Sequence, residues 1–202
     1  MYVVFFVSRN KDNKDIPDFK ERKMSFVVND NYEYYKLLGK FSDFVNEGLV
    51  GELSRFYISV NKRDNAKVHK ALLHYLIDHP ELDLSKIESK IASIAGKTEN
   101  RAESKWLIDI DTIDKSLVSN FFKDLPKYID QDLISIPTQS INGWHVIVNH
   151  GFDARELMEK YGEVVDIKRD DMELMAYDKK GCITSTRWIE PMNITYERED
   201  GN

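Results

Sequence analysis

Seven residues, Trp106 to Thr112 (WLIDIDT), alternate apolar and acidic side chains, the pattern of a β-strand with two unlike faces. Trp106, Ile108 and Ile110 point to one side, and Asp109 and Asp111 to the other. Same-side neighbours on a strand lie about 6.5–7 Å apart, so two carboxylates set this way repel unless positive charge sits between them. A hard, oxygen-seeking cation such as Mg²⁺ is the usual remedy. An amphipathic edge strand with solvated acids satisfies the same pattern.

The chain around this strand has 202 residues, 42% of them hydrophobic. That is enough to bury a core, as one larger domain or two small fused units. Its single cysteine, Cys182, leaves no internal disulfide and no cysteine-rich zinc site, which fits a reducing interior. No apolar run is long enough to cross a bilayer, and the opening MYVVFFVSRN lacks a basic leader and a small-residue cleavage site. The expectation is a cytoplasmic protein with no membrane partner. A net charge of −6 argues against coating nucleic acid by charge alone. Basic residues do gather locally, at Lys20, Arg22 and Lys23, at Lys62, Arg63 and Lys67, at Lys97, Arg101 and Lys105, and at Lys168 and Arg169. An acidic enzyme that grips phosphate only at its cleft has this pattern, and so does an ordinary charged surface.

Residues 1–100 read as an N-terminal α/β unit. Strands over 1–8 and 24–28 are joined by a long charged loop, Asn10 to Lys23. Asp30-x-x-Glu33 has the form of a capping box, opening a helix with Tyr34, Leu38, Phe41 and Val45 on one face. Leu53 to Val60 is a strand with Arg55, Tyr57 and Ser59 on one side. Asn61-Lys62-Arg63-Asp64 leads into a helix whose start, with Lys62 and Arg63 beside it, suits a phosphate. Ser85-x-x-Glu88 is a second capping box, and the helix it opens stops at Gly96-Lys97-Thr98. That GKT is not a phosphate loop, because the upstream glycine and strand are missing. Asn100 to Lys105 is a polar joint between two units.

Residues 101–202 are more regular. The strand over 106–112 precedes a helix opened by Asp114 and closed by Pro126. Strands follow over Leu133 to Pro137 and, after the tight turn at Asn142-Gly143, over Trp144 to Asn149. Asp153-x-x-Glu156 caps a second helix, and Glu163 to Lys168 and Met172 to Tyr177 are further strands. Residues 182 to 197 read as a last strand or two. The order β-α-β-β-α-β is the split ferredoxin-like or RNA-recognition-motif (RRM-like) arrangement. The fold class is therefore α+β, an N-terminal α/β unit fused to an RRM-like unit. Its first and third strands are neighbours in that topology, which puts Asp109, Asp111 and His145 on one open face.

An apolar strand ending in Asp109-Ile110-Asp111, then Gly143-Trp144-His145 within TQSINGWHVIV, then an acid on a following strand, resembles the archaeo-eukaryotic primase superfamily of primases and primase–polymerases. The third acid is Asp166 in VVDIK, with Asp171 and Glu173 as alternatives. The resemblance implies a metal-dependent nucleotidyltransferase that acts on NTPs or dNTPs with a nucleic-acid template or primer. Asp109, Asp111 and Asp166 would hold Mg²⁺ or Mn²⁺, and Asp109, Asp111 and His145 would form the catalytic set. His145 would contact the nucleotide phosphates with Ser140, Lys168 or Arg169, and Arg55 or Arg63 would contact nucleotide or template. The implied partners are nucleotides, single-stranded nucleic acid and a helicase or other replication protein. Two features depart from the family: one cysteine cannot build the zinc-binding element many primases carry, and little chain is left for a template-gripping domain. The alternatives are a non-catalytic module that binds nucleic acid or protein on the same fold, and a metal-dependent phosphodiesterase.

Overall fold

A computed structural model describes residues 1–179 and 181–186. It is a mixed α+β structure with two antiparallel sheets and five α-helices. The first sheet grows from the most apolar segment of the chain. Strand β1 (Tyr2–Ser8) buries side chains on both faces, as a central strand must. It lies between β2 (Arg22–Val28) and β3 (Ser54–Ser59), and β8 (Met172–Lys179) and β9 (Cys182–Ser185) extend the sheet to the order β2-β1-β3-β8-β9. On one face Val4, Phe6, Phe26 and Phe56 meet Leu37, Phe41 and Phe44 of α1 (Tyr34–Asn46). Phe6 stands edge-on to Phe56 at 5.0 Å between ring centroids. Each fully buried phenyl ring stabilises the fold by about 1.5–3 kcal/mol. On the other face Met1 and Val3 pack with Val68 of α2 (Asn65–Asp78) and with Ala92 and Ala95 of α3 (Ile87–Ala95).

The second sheet has the order β5-β6-β4-β7, antiparallel throughout: β5 (Thr138–Gln139), β6 (Trp144–Val148), β4 (Trp106–Ile110) and β7 (Val165–Lys168). Ile108, Ile110, Val146 and Val148 form its inner face. They pack on Phe121 of α4 (Lys115–Asp124) and on Leu157 and Tyr161 of α5 (Arg155–Tyr161). Asp114 caps α4 as its sequence suggests, accepting hydrogen bonds from the backbone N–H of Ser116 and Leu117.

Several local expectations give way. The strand over Met172 to Tyr177, assigned by sequence to the unit 101–202, leaves the second sheet and pairs antiparallel with β3 in the first. Leu133 to Pro137 is not a full strand. Ile134 makes one bridge to Val148, Pro137 has no N–H to continue the ladder, and only Thr138 and Gln139 pair regularly with β6. None of the three capping boxes forms. Glu33 sits at the start of α1 without a side-chain cap, Asp83 caps the short turn before α3, and Ala154 begins α5. Of residues 182 to 197, Cys182–Ser185 is strand β9, and residues 187–197 lie outside the described residues. Among the described residues no helix is long and apolar enough to cross a membrane.

The chain thus passes between the sheets twice, at residues 100–105 and again at 169–171. Fully buried Asn61 ties both passages together. Its Nδ2 donates to the Lys105 carbonyl at 3.0 Å and to Asp170 Oδ1 at 3.2 Å, and its Oδ1 accepts from the Lys105 N–H at 2.7 Å.

Candidate active-site cleft

The face of the second sheet that turns away from α4 and α5, and the part of the first sheet around Phe5, Val7, Arg55 and Tyr57 beyond the cover of α2 and α3, line a cleft of about 690 Å³. Alternation on β4 decides what enters it. Ile108 and Ile110 are committed to the core, so Leu107 and Asp109 face the cleft, and Asp111 follows just past the strand end. Register then brings partners beside Asp109. His145 on β6 is directly opposite on one side and Asp166 on β7 on the other, with Thr138 opposite His145. Side chains directly opposed on antiparallel strands share a face, with Cβ atoms about 4.5–5.5 Å apart. The row Thr138, His145, Asp109, Asp166 therefore crosses all four strands of the sheet.

Gly143 makes this register possible. A Cβ there would fall inside the van der Waals shell of the Ile110 carbonyl oxygen and 3.1 Å from the Thr112 nitrogen. The turn that carries Ser140, Ile141 and Asn142 into the cleft therefore lies directly against the end of β4. The Ser140 N–H closes that turn on the Gly143 carbonyl at 2.8 Å.

His145 is 4% exposed, and its Nε2 has no hydrogen-bond partner among the described residues. Its nearest charged neighbour is Oε1 of Glu173 on β8, at 3.5 Å. An unsatisfied buried nitrogen costs about 1–3 kcal/mol.

Lys168 on β7 reaches into the acids. Its Nζ donates to Asp109 Oδ2 at 3.0 Å and lies 3.4 Å from Asp171 Oδ2 and 4.0 Å from Asp166 Oδ2. Burial works to lower its pKa, but the hydrogen bond to Asp109 and the charges of Asp109 and Asp171 outweigh it, so Lys168 stays above its ordinary value.

The opposite wall is cationic. Arg9, Lys11 and Lys14 come from the loop after β1, and Arg55 from β3. Asp12 organises the two arginines. Arg55 donates to its two oxygens at 3.0 and 2.9 Å, and Arg9 Nε to one of them at 2.8 Å. Burial alone would raise the Asp12 carboxyl, but the bond from Arg9 and the charge of Arg55 hold it below its ordinary value.

The candidate residues thus divide. Asp109, Asp111, His145, Ser140, Lys168 and Arg55 line one cleft, and so does Asp171. Asp166 stands in the row beside Asp109, more open to solvent and outside the cleft lining. Arg169 stacks on the Trp106 ring, 5.3 Å from its centroid. Arg63 is absent from the cleft. Its guanidinium is buried and paired with Asp170 at 2.9 Å, and its Nε has no hydrogen-bond partner among the described residues. Lys62, at the same helix start, is paired with Asp30. The sequence reading missed Arg9, Lys11, Asp12 and Lys14. For Lys11, Asp12 and Lys14 the charge density of the loop over 10–23 is the one signal, because an irregular path has no periodicity to show which way it folds, and Arg9 stands just before that loop.

The donors suit a hard divalent cation in kind, since they are carboxylate oxygens. They already converge on a positive charge, the Lys168 ammonium. Among the described residues, no group of three or more His, Cys, Asp or Glu is arranged to hold a metal as it stands. No protein-family model and no curated protein sequence matches the chain.

Proposed function

We propose that this protein is a metal-dependent nucleotidyltransferase of the primase–polymerase type, joining NTPs or dNTPs on a nucleic-acid template or primer. The observation that carries the reading is the row of Asp109, His145 and Asp166 on three adjacent strands, beside a cleft whose far wall is cationic. The strand order β5-β6-β4-β7, with α4 and α5 on one face, also supports it, because an RRM-like catalytic unit has this arrangement.

In this reading each wall has its own task. Asp109, Asp111 and Asp166 would hold Mg²⁺ or Mn²⁺, which when bound activates a hydroxyl and neutralises charge on the reacting phosphate. Asp171 is the other acid lining that wall. Arg9, Lys11, Lys14 and Arg55 receive the polyphosphate, the arginines pre-oriented by Asp12 so that less freedom is lost on binding. His145, in the tautomer protonated at Nε2, donates to a phosphate oxygen and so satisfies a nitrogen that otherwise lacks a partner. Ser140 adds a hydroxyl from the turn. Single-stranded nucleic acid is the second substrate, and a helicase or other replication protein is the partner this activity calls for.

The test is primer extension and de novo synthesis on single-stranded DNA with Mn²⁺ or Mg²⁺ and either NTPs or dNTPs. Products that disappear in the Asp109→Ala, Asp111→Ala double variant support the reading. No product from the folded protein under any of these conditions overturns it. One observation favours a second reading, a non-catalytic binding module: Lys168 already neutralises Asp109. Nucleotide or single-strand binding that is indifferent to EDTA and to the loss of Asp109 would establish it.

A further inference from the structure

A carboxylate that serves a divalent cation is normally left free to receive it, yet Asp109 is engaged by Lys168 at 3.0 Å. The same ammonium lies 3.4 Å from Asp171 and 4.0 Å from Asp166. It therefore sits where the negative charge of this wall converges, and its side chain is about one-third exposed. A metal ion brought to Asp109 would meet this ammonium at close range, in a cleft where partial dehydration strengthens the repulsion. The lysine has somewhere to go. Its four-carbon stem is flexible and its head is a compact point charge, so the ammonium can leave the acids without any change in β7. An incoming polyphosphate offers a richer anion within the same cleft.

We propose that Lys168 is an internal counter-cation that competes with the divalent metal for Asp109, so that the site binds metal tightly only when nucleotide phosphate draws the ammonium away. The inference rests on the nucleotidyltransferase reading and adds an order to it. Metal and nucleotide bind synergistically, and Lys168 moves from the acids to the phosphates as they arrive. Without nucleotide, the lysine offsets part of the acids' charge and most directly that of Asp109.

The test measures Mn²⁺ binding by electron paramagnetic resonance on the full chain, at fixed pH and ionic strength, with and without a non-hydrolysable nucleoside triphosphate. Wild type, Lys168→Met, Lys168→Arg and Asp109→Asn are compared. Removing the charge should tighten Mn²⁺ binding without nucleotide by about ten- to a hundred-fold, the usual range for coupling between two sites. Lys168→Arg, which keeps the charge, should stay as weak as wild type. The analogue should tighten Mn²⁺ binding strongly in wild type and far less in Lys168→Met. If Lys168→Met binds Mn²⁺ no more tightly than wild type, while Asp109→Asn shows that the binding uses Asp109, the inference falls and the metal reading stands. If no form binds Mn²⁺ even with the analogue, the metal reading falls and takes the inference with it.

Discussion

Arg63 and Asp170 form a buried ion pair at 2.9 Å, their side chains 3% and 6% exposed, where the chain returns from the second sheet to the first. Removing one partner leaves the other charged and desolvated, which costs about 3–5 kcal/mol. Arg63→Ala should lower the stability measured by urea denaturation by about that amount. Arg63→Met combined with Asp170→Leu should recover most of the loss, because neither charge then remains buried. A double variant as unstable as the single one would show that the loss comes from packing or from the broken Asn61–Asp170 bond and not from a stranded charge.

Gly143 offers a sharper test of how the site is held. Any side chain there pushes against the Ile110 carbonyl and the Thr112 nitrogen, at the point where β4 delivers Asp111. Gly143→Ala should destabilise by about 1–3 kcal/mol, the usual range for overpacking. It should also weaken nucleotide binding beyond what the shift in thermal midpoint accounts for, since the turn bearing Ser140 moves with it. A variant with both properties unchanged would mean that the close approach relaxes freely.

The two acids of the WLIDIDT strand should separate in their effects. Asp109 is the closest partner of Lys168, whereas Asp111 is exposed and its N–H bonds the Val164 carbonyl at 2.8 Å. Either change to Asn should reduce primer extension by about 100-fold or more, on the scale of losing one electrostatic contact to a transition state. Only Asp109→Asn should touch stability, and by no more than about 1 kcal/mol, because its ion pair is partly solvated. Activity assays and urea titrations on the two variants check both statements.

Asp12 sets a pH dependence. Its folded pKa is depressed, its burial outweighed by the hydrogen bond from Arg9 and the charge of Arg55. The unfolded chain therefore takes up the proton first as pH falls. The stabilisation is fully present above the unfolded value of about 3.9 and is lost as pH drops through the folded value. Wild type should exceed Asp12→Asn in stability at pH 7, and the gap should close below pH of about 4. A gap independent of pH would show that the Arg9 and Arg55 contacts do not need the charge of Asp12.

Where side-chain period alone decides structure, the sequence was legible. Trp106–Ile110, Lys115–Asp124, Trp144–Val148 and Val165–Lys168 all form as their alternation or helical spacing indicates. Asp109 meets His145 because two such strands are neighbours. Partner choice is less visible. Leu174, Met175 and Ala176 are apolar enough to enter either sheet, and nothing local says that β8 pairs with β3. Capping residues misled for a related reason. Asp30, Ser85 and Asp153 each fit the motif, but the packing of the helix fixes where its first turn begins. Arg63 looked like a ligand because its charge is visible in the sequence and its partner, 107 residues away, is not.

The return of β8 to the first sheet fixes how the molecule can be cut. A fragment ending near residue 100 would expose the edge of β3 as an open template for aggregation. A fragment beginning there would carry β8 and β9 as a two-stranded remnant cut off from β3 and the rest of their sheet. The two walls are consequently joined through a pair of neighbouring crossings, at 100–105 and 169–171, both held by Asn61, so any opening of the cleft has to bend the chain there in two places at once.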